Sequence, residues 1–323
     1  MPRAASSRRS TRQRSITVGT DFTAGANVAV DRATQLAEST GSRLYVVHVV
    51  SQAAVAPSMP LPPQFRSSVA PASQPSGASA LRAAADLAAQ RLRTETHSVR
   101  TTNLVRVGVP HAVLARCARM QRSAALVVGV HRPLSPGESL LLGSTAERAL
   151  RDGPTPVLLA RTRCSGPYRR VLVAVELGWL SLRVVRAAAT LTPGAEYDIV
   201  HFLAPYGLRG EKSRLQRDSA HRRLLALCAS VGLATSSARF HILPGEPREG
   251  ILAAIRTHMP EVVVMGTHAR RGLARMLIGS VADYVIHSAW HVDVLAVPPH
   301  RWRTASQSSR VPATAAQSAA APT

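Results

Sequence analysis

The sequence contains two copies of one pattern, separated by a nearly constant interval. Gly108 and Gly245 are 137 residues apart, and so are Gly129 and Gly266. Four apolar residues precede Gly129 and Gly266. A Gly-Ser pair follows Gly129 after 14 residues and Gly266 after 13. A short apolar run of this kind is typical of a buried parallel strand. We therefore interpret the chain as a duplicated α/β domain.

The second copy predicts an anion-binding loop. Residues 262–265 form the apolar run, and Gly266 lets the backbone turn without a Cβ. Gly279 and Ser280 then stand where a helical pattern begins at Val281. The first N–H groups of a helix have no partner within the helix, and the serine hydroxyl is a further donor. The segment from Gly266 to Val281 can therefore hold a phosphate.

The order of the motifs resembles that of the tandem universal stress proteins. Each half has a strand followed by an acid, a strand ending in Val-His, a Gly-x-Pro before a helix, a loop closed by Gly-Ser, and a last apolar strand. The resemblance covers residues 14–162 and 168–299. It implies an α/β fold of two tandem Rossmann-like domains, similar to the adenine nucleotide alpha hydrolases, each a five-stranded parallel sheet flanked by helices. It also implies that the glycine loops could bind ATP, as they do in some members.

The residues expected to contact ATP, with Mg²⁺ as its counter-ion, come from both halves. They are Glu176, Gly266, Ala269, Gly279, Ser280 and Val281 in the second half, and Asp21, Gly129, Gly143 and Ser144 in the first. Asp21 follows the first strand, at the edge where open α/β sheets bind ligands, although it could equally cap the next helix. In the second half, Ala269 replaces the second glycine of the family pattern, and Glu176 replaces the aspartate.

The first glycine loop departs further from the family pattern. Arg132 replaces its second glycine, Pro133 follows, and the loop is one residue longer than the second loop. A long side chain and a proline would crowd the backbone that approaches a triphosphate, although Arg132 could itself pair with phosphate. We therefore expect ATP in the second domain, with the first as a weaker candidate.

The composition is strongly basic, with a net charge of +22 and 40 Lys and Arg residues, of which Lys212 is the one lysine. Such a charge could attract nucleic acid or a membrane surface, or the arginines could lie on solvated helix faces. Aromatic residues make up only 4% and do not alternate with a basic run, which favours the second interpretation. Nucleic acid is therefore not an expected partner.

Three separated cysteines show no spacing typical of a disulfide framework or a zinc site, so we predict no metal ligands and a cytoplasmic protein. The sequence has no run of 18 apolar residues, so we predict no membrane insertion. By composition we predict a disordered basic arm at 1–13, a mobile proline-rich insertion at 51–79 and a disordered tail at 300–323.

The sequence favours binding over catalysis, because His131 and His268 in the loops have no evident acid partner. The leading hypothesis is a stress-responsive, nucleotide-binding regulator. The alternatives are a scaffold protein of the same fold that binds no nucleotide, and an ATP hydrolase, which would need a base. We also expect the last strands of the two halves to form an intramolecular domain pair, which could dimerise further.

Overall fold

The computed structural model of the protein describes residues 14–51, 77–94, 99–130, 142–163, 165–203, 210–267 and 278–299. Within these ranges, ten strands form one sheet, and each half of the chain contributes five of them. Eight α-helices cover the two faces of that sheet.

The first half of the chain alternates strands and helices. Its strands are β1 (Ser15–Thr20), β2 (Arg43–Val50), β3 (Thr101–Val107), β4 (Ala125–Gly129) and β5 (Val157–Ala160). Its helices are α1 (Ala24–Thr40), α2 (Gly77–Thr94), α3 (Pro110–Met120) and α4 (Gly143–Asp152).

The second half repeats this plan. Its strands are β6 (Arg170–Ala174), β7 (Glu196–Leu203), β8 (Ala238–Pro244), β9 (Val262–Gly266) and β10 (Asp293–Val297). Its helices are α5 (Ser181–Leu191), α6 (Glu211–Val231), α7 (Pro247–His258) and α8 (Ser280–Ser288).

The strand order is β3-β2-β1-β4-β5-β10-β9-β6-β7-β8. All pairs within a half are parallel, whereas β5 and β10 pair antiparallel where the halves meet. The strand order reverses between β1 and β4, and again between β6 and β9. In doubly wound sheets such a switch point leaves a crevice at the carboxyl ends of the strands.

Apolar strands make this arrangement stable because both faces of the sheet are covered. Val127 of β4 packs into the core on the face of α1, while its neighbours Leu126 and Val128 pack into the core on the other face. All three are almost fully buried. Successive side chains of a strand point to opposite faces, so a strand covered on both sides must be apolar throughout.

The predicted fold class is confirmed, since each half is a five-stranded parallel sheet flanked by helices. Helix α2 begins at Gly77, inside the range 51–79 that we expected to be an insertion. The rest of that insertion, residues 52–76, and the predicted arm and tail lie outside the described residues. None of the described helices combines the length and the apolar character needed to cross a membrane.

Candidate functional site

The topology brings the predicted site residues to one edge of each half-sheet. Strand β1 pairs with β4 and strand β6 with β9, so the acid after the first strand and the glycine at the end of the fourth lie at neighbouring carboxyl ends. Those residues are Asp21 and Gly129 in the first half and Glu176 and Gly266 in the second.

A hydrogen bond closes the base of the second glycine loop. The N–H of Gly279 donates to the carbonyl of Thr267 at 3.3 Å, so the chain returns next to the point where it left β9. The N–H of Thr267 donates to Val297 at the end of β10 at 3.0 Å, which ties the loop to two strands. Thr267 is buried, and our sequence analysis did not single it out. The sequence feature that distinguishes this position is a threonine directly after Gly266, where the first half has Val130.

Helix α8 offers free donors at this point. Its N-cap is Gly279, and no side chain among the described residues caps it. The N–H groups of Ser280, Val281 and Ala282 make no hydrogen bond within the described part of the chain. Ser280 is exposed and Val281 is half-buried. Unpaired N–H groups and the positive end of the helix dipole together suit an anion.

The first loop ends differently. Gly143 is the first residue of α4 and has a φ of +69°, whereas Gly279 precedes its helix with a φ of −57°. Ser144 is exposed, as Ser280 is. Among the described residues, no hydrogen bond joins Val130 to Gly143 in the way that Thr267 joins Gly279. The two helix starts are therefore not equivalent, in line with the different lengths of their loops.

The two acids also differ in what they contact. The carboxylate of Asp21 accepts two hydrogen bonds from Thr23, one from its N–H at 3.1 Å and one from its hydroxyl at 2.6 Å. Thr23 in turn is the N-cap of α1. Asp21 therefore stabilises the turn before α1, but the residue that caps the helix is Thr23. Glu176 is exposed and makes no side-chain hydrogen bond within the described residues.

The glycines that end β4 and β9 have a packing role. A Cβ on Gly129 would lie 2.2 Å from the carbonyl oxygen of Gly25, at the start of α1. A Cβ on Gly266 would lie 2.6 Å from the Cδ2 atom of Leu180, directly before α5. Close packing of the strand against the helix therefore accounts for both glycines without a ligand, and their contact with nucleotide stays a prediction.

These packing contacts predict unequal costs for alanine at the two glycines. Gly129→Ala should destabilise the protein by about 1–3 kcal/mol, because the new methyl group meets rigid backbone. Gly266→Ala should cost less, because the end of the Leu180 side chain can move. Chemical denaturation of both variants measures the difference, and an equal or reversed ranking would contradict the packing argument.

Histidines link the first two strands of each half at the same edge. The Nδ1 atom of His48 lies 2.9 Å from the carbonyl oxygen of Thr20, and that of His201 lies 2.9 Å from the carbonyl oxygen of Val175. The ring of His48 also stacks on Phe22, with 4.7 Å between centroids. These contacts give both histidines a structural role in joining the strands.

Several predicted residues lie outside the described residues. They are His268 and Ala269 of the second loop and His131, Arg132 and Pro133 of the first. The described residues thus bring together Glu176, Gly266 and the start of α8 in the second half. In the first half they place Asp21 and Gly129 at neighbouring strand ends.

Comparison with known proteins gives consistent results for the whole chain. The model of the universal stress protein family matches residues 13–161 and again residues 167–298. Universal stress protein A homolog 1 of Coxiella burnetii (strain RSA 493 / Nine Mile phase I) is 30% identical over 142 residues, an alignment that covers 40% of this chain and 96% of that protein.

Solved structures share the fold over nearly the full length. A universal stress protein from Archaeoglobus fulgidus DSM 4304 has a TM-score of 0.65 at 18% identity, covering 89% of this chain and 99% of that one. A functionally unknown protein from Pseudomonas aeruginosa PAO1 has a TM-score of 0.60 at 20% identity, covering 90% and 94%. With two matches to the family model and the tandem fold, the chain belongs to the universal stress protein family.

Proposed function

We propose that the protein is a stress-responsive regulator that binds ATP in its second domain. The observation that carries this proposal is the start of α8, where the N–H groups of Ser280, Val281 and Ala282 lack partners within the described residues and a hydrogen bond from Gly279 to Thr267 fixes their position. The triphosphate would lie against these N–H groups, with Mg²⁺ as its counter-ion. The negative charge of the triphosphate would face these N–H groups and the positive end of the α8 dipole.

Two contrasts support the second domain over the first. The acid of the second domain, Glu176, is free among the described residues to reach a ribose or base, whereas Thr23 binds Asp21. The second loop is closed at its base by Thr267, and the first has no equivalent bond within the described residues.

We further propose that the two domains act as one intramolecular pair in the cytoplasm. Strands β5 and β10 pair antiparallel through Val157–Leu159 and Val294–Ala296, which covers an edge that each half-sheet would otherwise leave open. Homodimerisation would use a different surface, because this edge is already paired. Light scattering distinguishes a dimer from a monomer of 34.4 kDa.

The binding proposal is tested by what the protein carries from the cell. Protein purified without added nucleotide should release adenine nucleotide when it is denatured, and added ATP with Mg²⁺ should raise its melting temperature. Absence of released nucleotide together with an unchanged melting temperature would favour the alternative function, a scaffold of the same fold that binds no nucleotide.

A further inference from the structure

Two histidines and an aspartate from three separate elements meet on the α7 face of the second domain. Asp198 lies near the beginning of β7, His241 lies on β8, and His258 is the last residue of α7. The nucleotide loops lie at the opposite, carboxyl ends of the strands. The cluster is therefore separate from the proposed ATP site.

Both imidazoles approach the same carboxylate oxygen. The Nε2 atom of His241 lies 2.8 Å from the Oδ1 atom of Asp198, and the Nδ1 atom of His258 lies 3.6 Å from it. The one carboxylate oxygen and the two ring nitrogens all lie within 4.8 Å of one another. The rings are 4.4 Å apart and tilted by 45°. Tetrahedral zinc with bonds of about 2.0–2.2 Å needs ligand atoms about 3.3–3.5 Å apart, so small shifts would suffice.

The environment of the cluster keeps the Asp198 carboxylate charged and leaves the two histidines accessible to a metal ion. The Asp198 side chain is 4% exposed, while those of His241 and His258 are 25% and 22% exposed. Burial tends to raise the pKa of Asp198, but hydrogen bonds from Arg239 and His241, together with the nearby charges, lower it overall. The carboxylate is therefore ionised at neutral pH, and the partly exposed imidazoles leave a path to the solvent.

Arg239 holds this carboxylate from the other side. Its Nε donates to Oδ1 of Asp198 at 3.0 Å, and a terminal nitrogen donates to Oδ2 at 3.1 Å. Another terminal nitrogen contacts Glu196 at 3.2 Å. A metal ion on Oδ1 would displace the Nε contact and leave the other two, so that Arg239 would orient the ligand as outer-shell partners do.

The repeat shows that the fold itself does not need this cluster. The first domain has the same strands and helix, but the equivalents of Asp198, His241 and His258 are, in that order, Tyr45, Leu104 and Gln121. The three polar groups are therefore particular to the second domain.

We propose that Asp198, His241 and His258 form a zinc-binding site with an open fourth position for water. Two imidazoles and one carboxylate are ligands that Zn²⁺ accepts, and three protein ligands with a free position are the arrangement of accessible zinc sites. The spacing of the sequence does not reveal the site, because 43 and 17 residues separate its ligands along the chain. The site is independent of the proposed ATP binding.

The full-length protein can be tested with Zn²⁺ alone. After equilibration with zinc chloride and dialysis, the wild type should retain one Zn²⁺ per chain by elemental analysis. Co²⁺ in its place should give the absorption spectrum of a low-coordinate ion with nitrogen and oxygen ligands. The variants His258→Gln and His241→Leu place the first domain's residues at these positions, and they should bind Zn²⁺ at least about 100-fold more weakly, beyond the usual cost of losing an outer-shell partner.

His287→Gln is the matched control, because His287 is an exposed histidine whose Nδ1 atom lies 3.6 Å from the carboxylate of Asp283. It should bind Zn²⁺ as the wild type does. Circular dichroism checks that each variant is folded. If His241→Leu does not fold, His258→Gln alone tests the zinc site. A wild type that retains no stoichiometric zinc, or a folded His258→Gln variant that binds it unchanged, would overturn the proposal whether or not ATP binds.

Discussion

Replacing Gly279 with valine is expected to abolish ATP binding. Gly279 has a φ of −57° and a ψ of 142°, a conformation open to any L-residue, so a side chain causes no backbone strain there. The branched side chain would stand beside the free N–H groups of α8, where the phosphates are proposed to lie. Contacts with the phosphates are expected to supply most of the binding free energy of a triphosphate. Isothermal titration with ATP and Mg²⁺ measures the loss.

Gly143→Val is the matched variant in the first domain, and it should have the opposite effect. Gly143 has a φ of +69°, so valine there should cost about 1–2 kcal/mol of stability. ATP binding should fall little. A loss of ATP affinity in Gly143→Val alone would mean that the first domain holds the nucleotide. Equal losses in the two variants would contradict its assignment to the second domain.

Asp293→Asn is expected to cause the largest loss of stability. Its carboxylate is fully buried and accepts hydrogen bonds from Arg32 at 3.1 Å, Tyr168 at 2.6 Å and the backbone N–H of Arg161 at 2.8 Å. The backbone N–H and the hydroxyl of Thr162 donate to it as well. These donors come from the first domain and from the segment that joins the two domains, so one carboxylate of β10 fixes the junction.

The loss should be about 3–5 kcal/mol, because an amide leaves the buried Arg32 guanidinium without its counter-charge. Burial lowers the pKa of Arg161 to about 10, and the charge of Asp293 opposes this shift, so the variant also loses support for a second buried cation. Urea denaturation followed by circular dichroism measures the change.

The control for Asp293→Asn is Glu147→Ala, which removes an exposed pair between Glu147 and Arg151 on α4. It should cost only about 0.3–0.5 kcal/mol. If the two variants lost similar stability, the junction would not depend on the buried carboxylate.

The strands could be predicted because parallel strands covered on both faces are apolar runs, as Val262–Met265 of β9 shows. Strand β7 shows where this signal ends. It begins at Glu196, and its charged residues Glu196 and Asp198 are stabilised by Arg239 on the neighbouring strand. Hydropathy along one segment contains no information about such cross-strand pairs.

The candidate site was only partly predictable for the same reason. The sequence identified the glycines and the Gly-Ser helix starts, but not how closely α1 and α5 approach the sheet, and that approach determines why Gly129 and Gly266 lack a side chain. It also could not decide between ligand binding and capping for Asp21, because the choice depends on the position of the Thr23 hydroxyl. The meeting of Asp198, His241 and His258 depends on strand order and on the position of α7.

The number of ATP molecules bound per chain tests the central claim most directly. Equilibrium dialysis of the full-length protein with labelled ATP and Mg²⁺ should give one ATP per chain for the wild type, one for Gly143→Val and none for folded Gly279→Val. Two ATP per chain in the wild type, or one retained by Gly279→Val, would contradict the assignment of ATP to the start of α8.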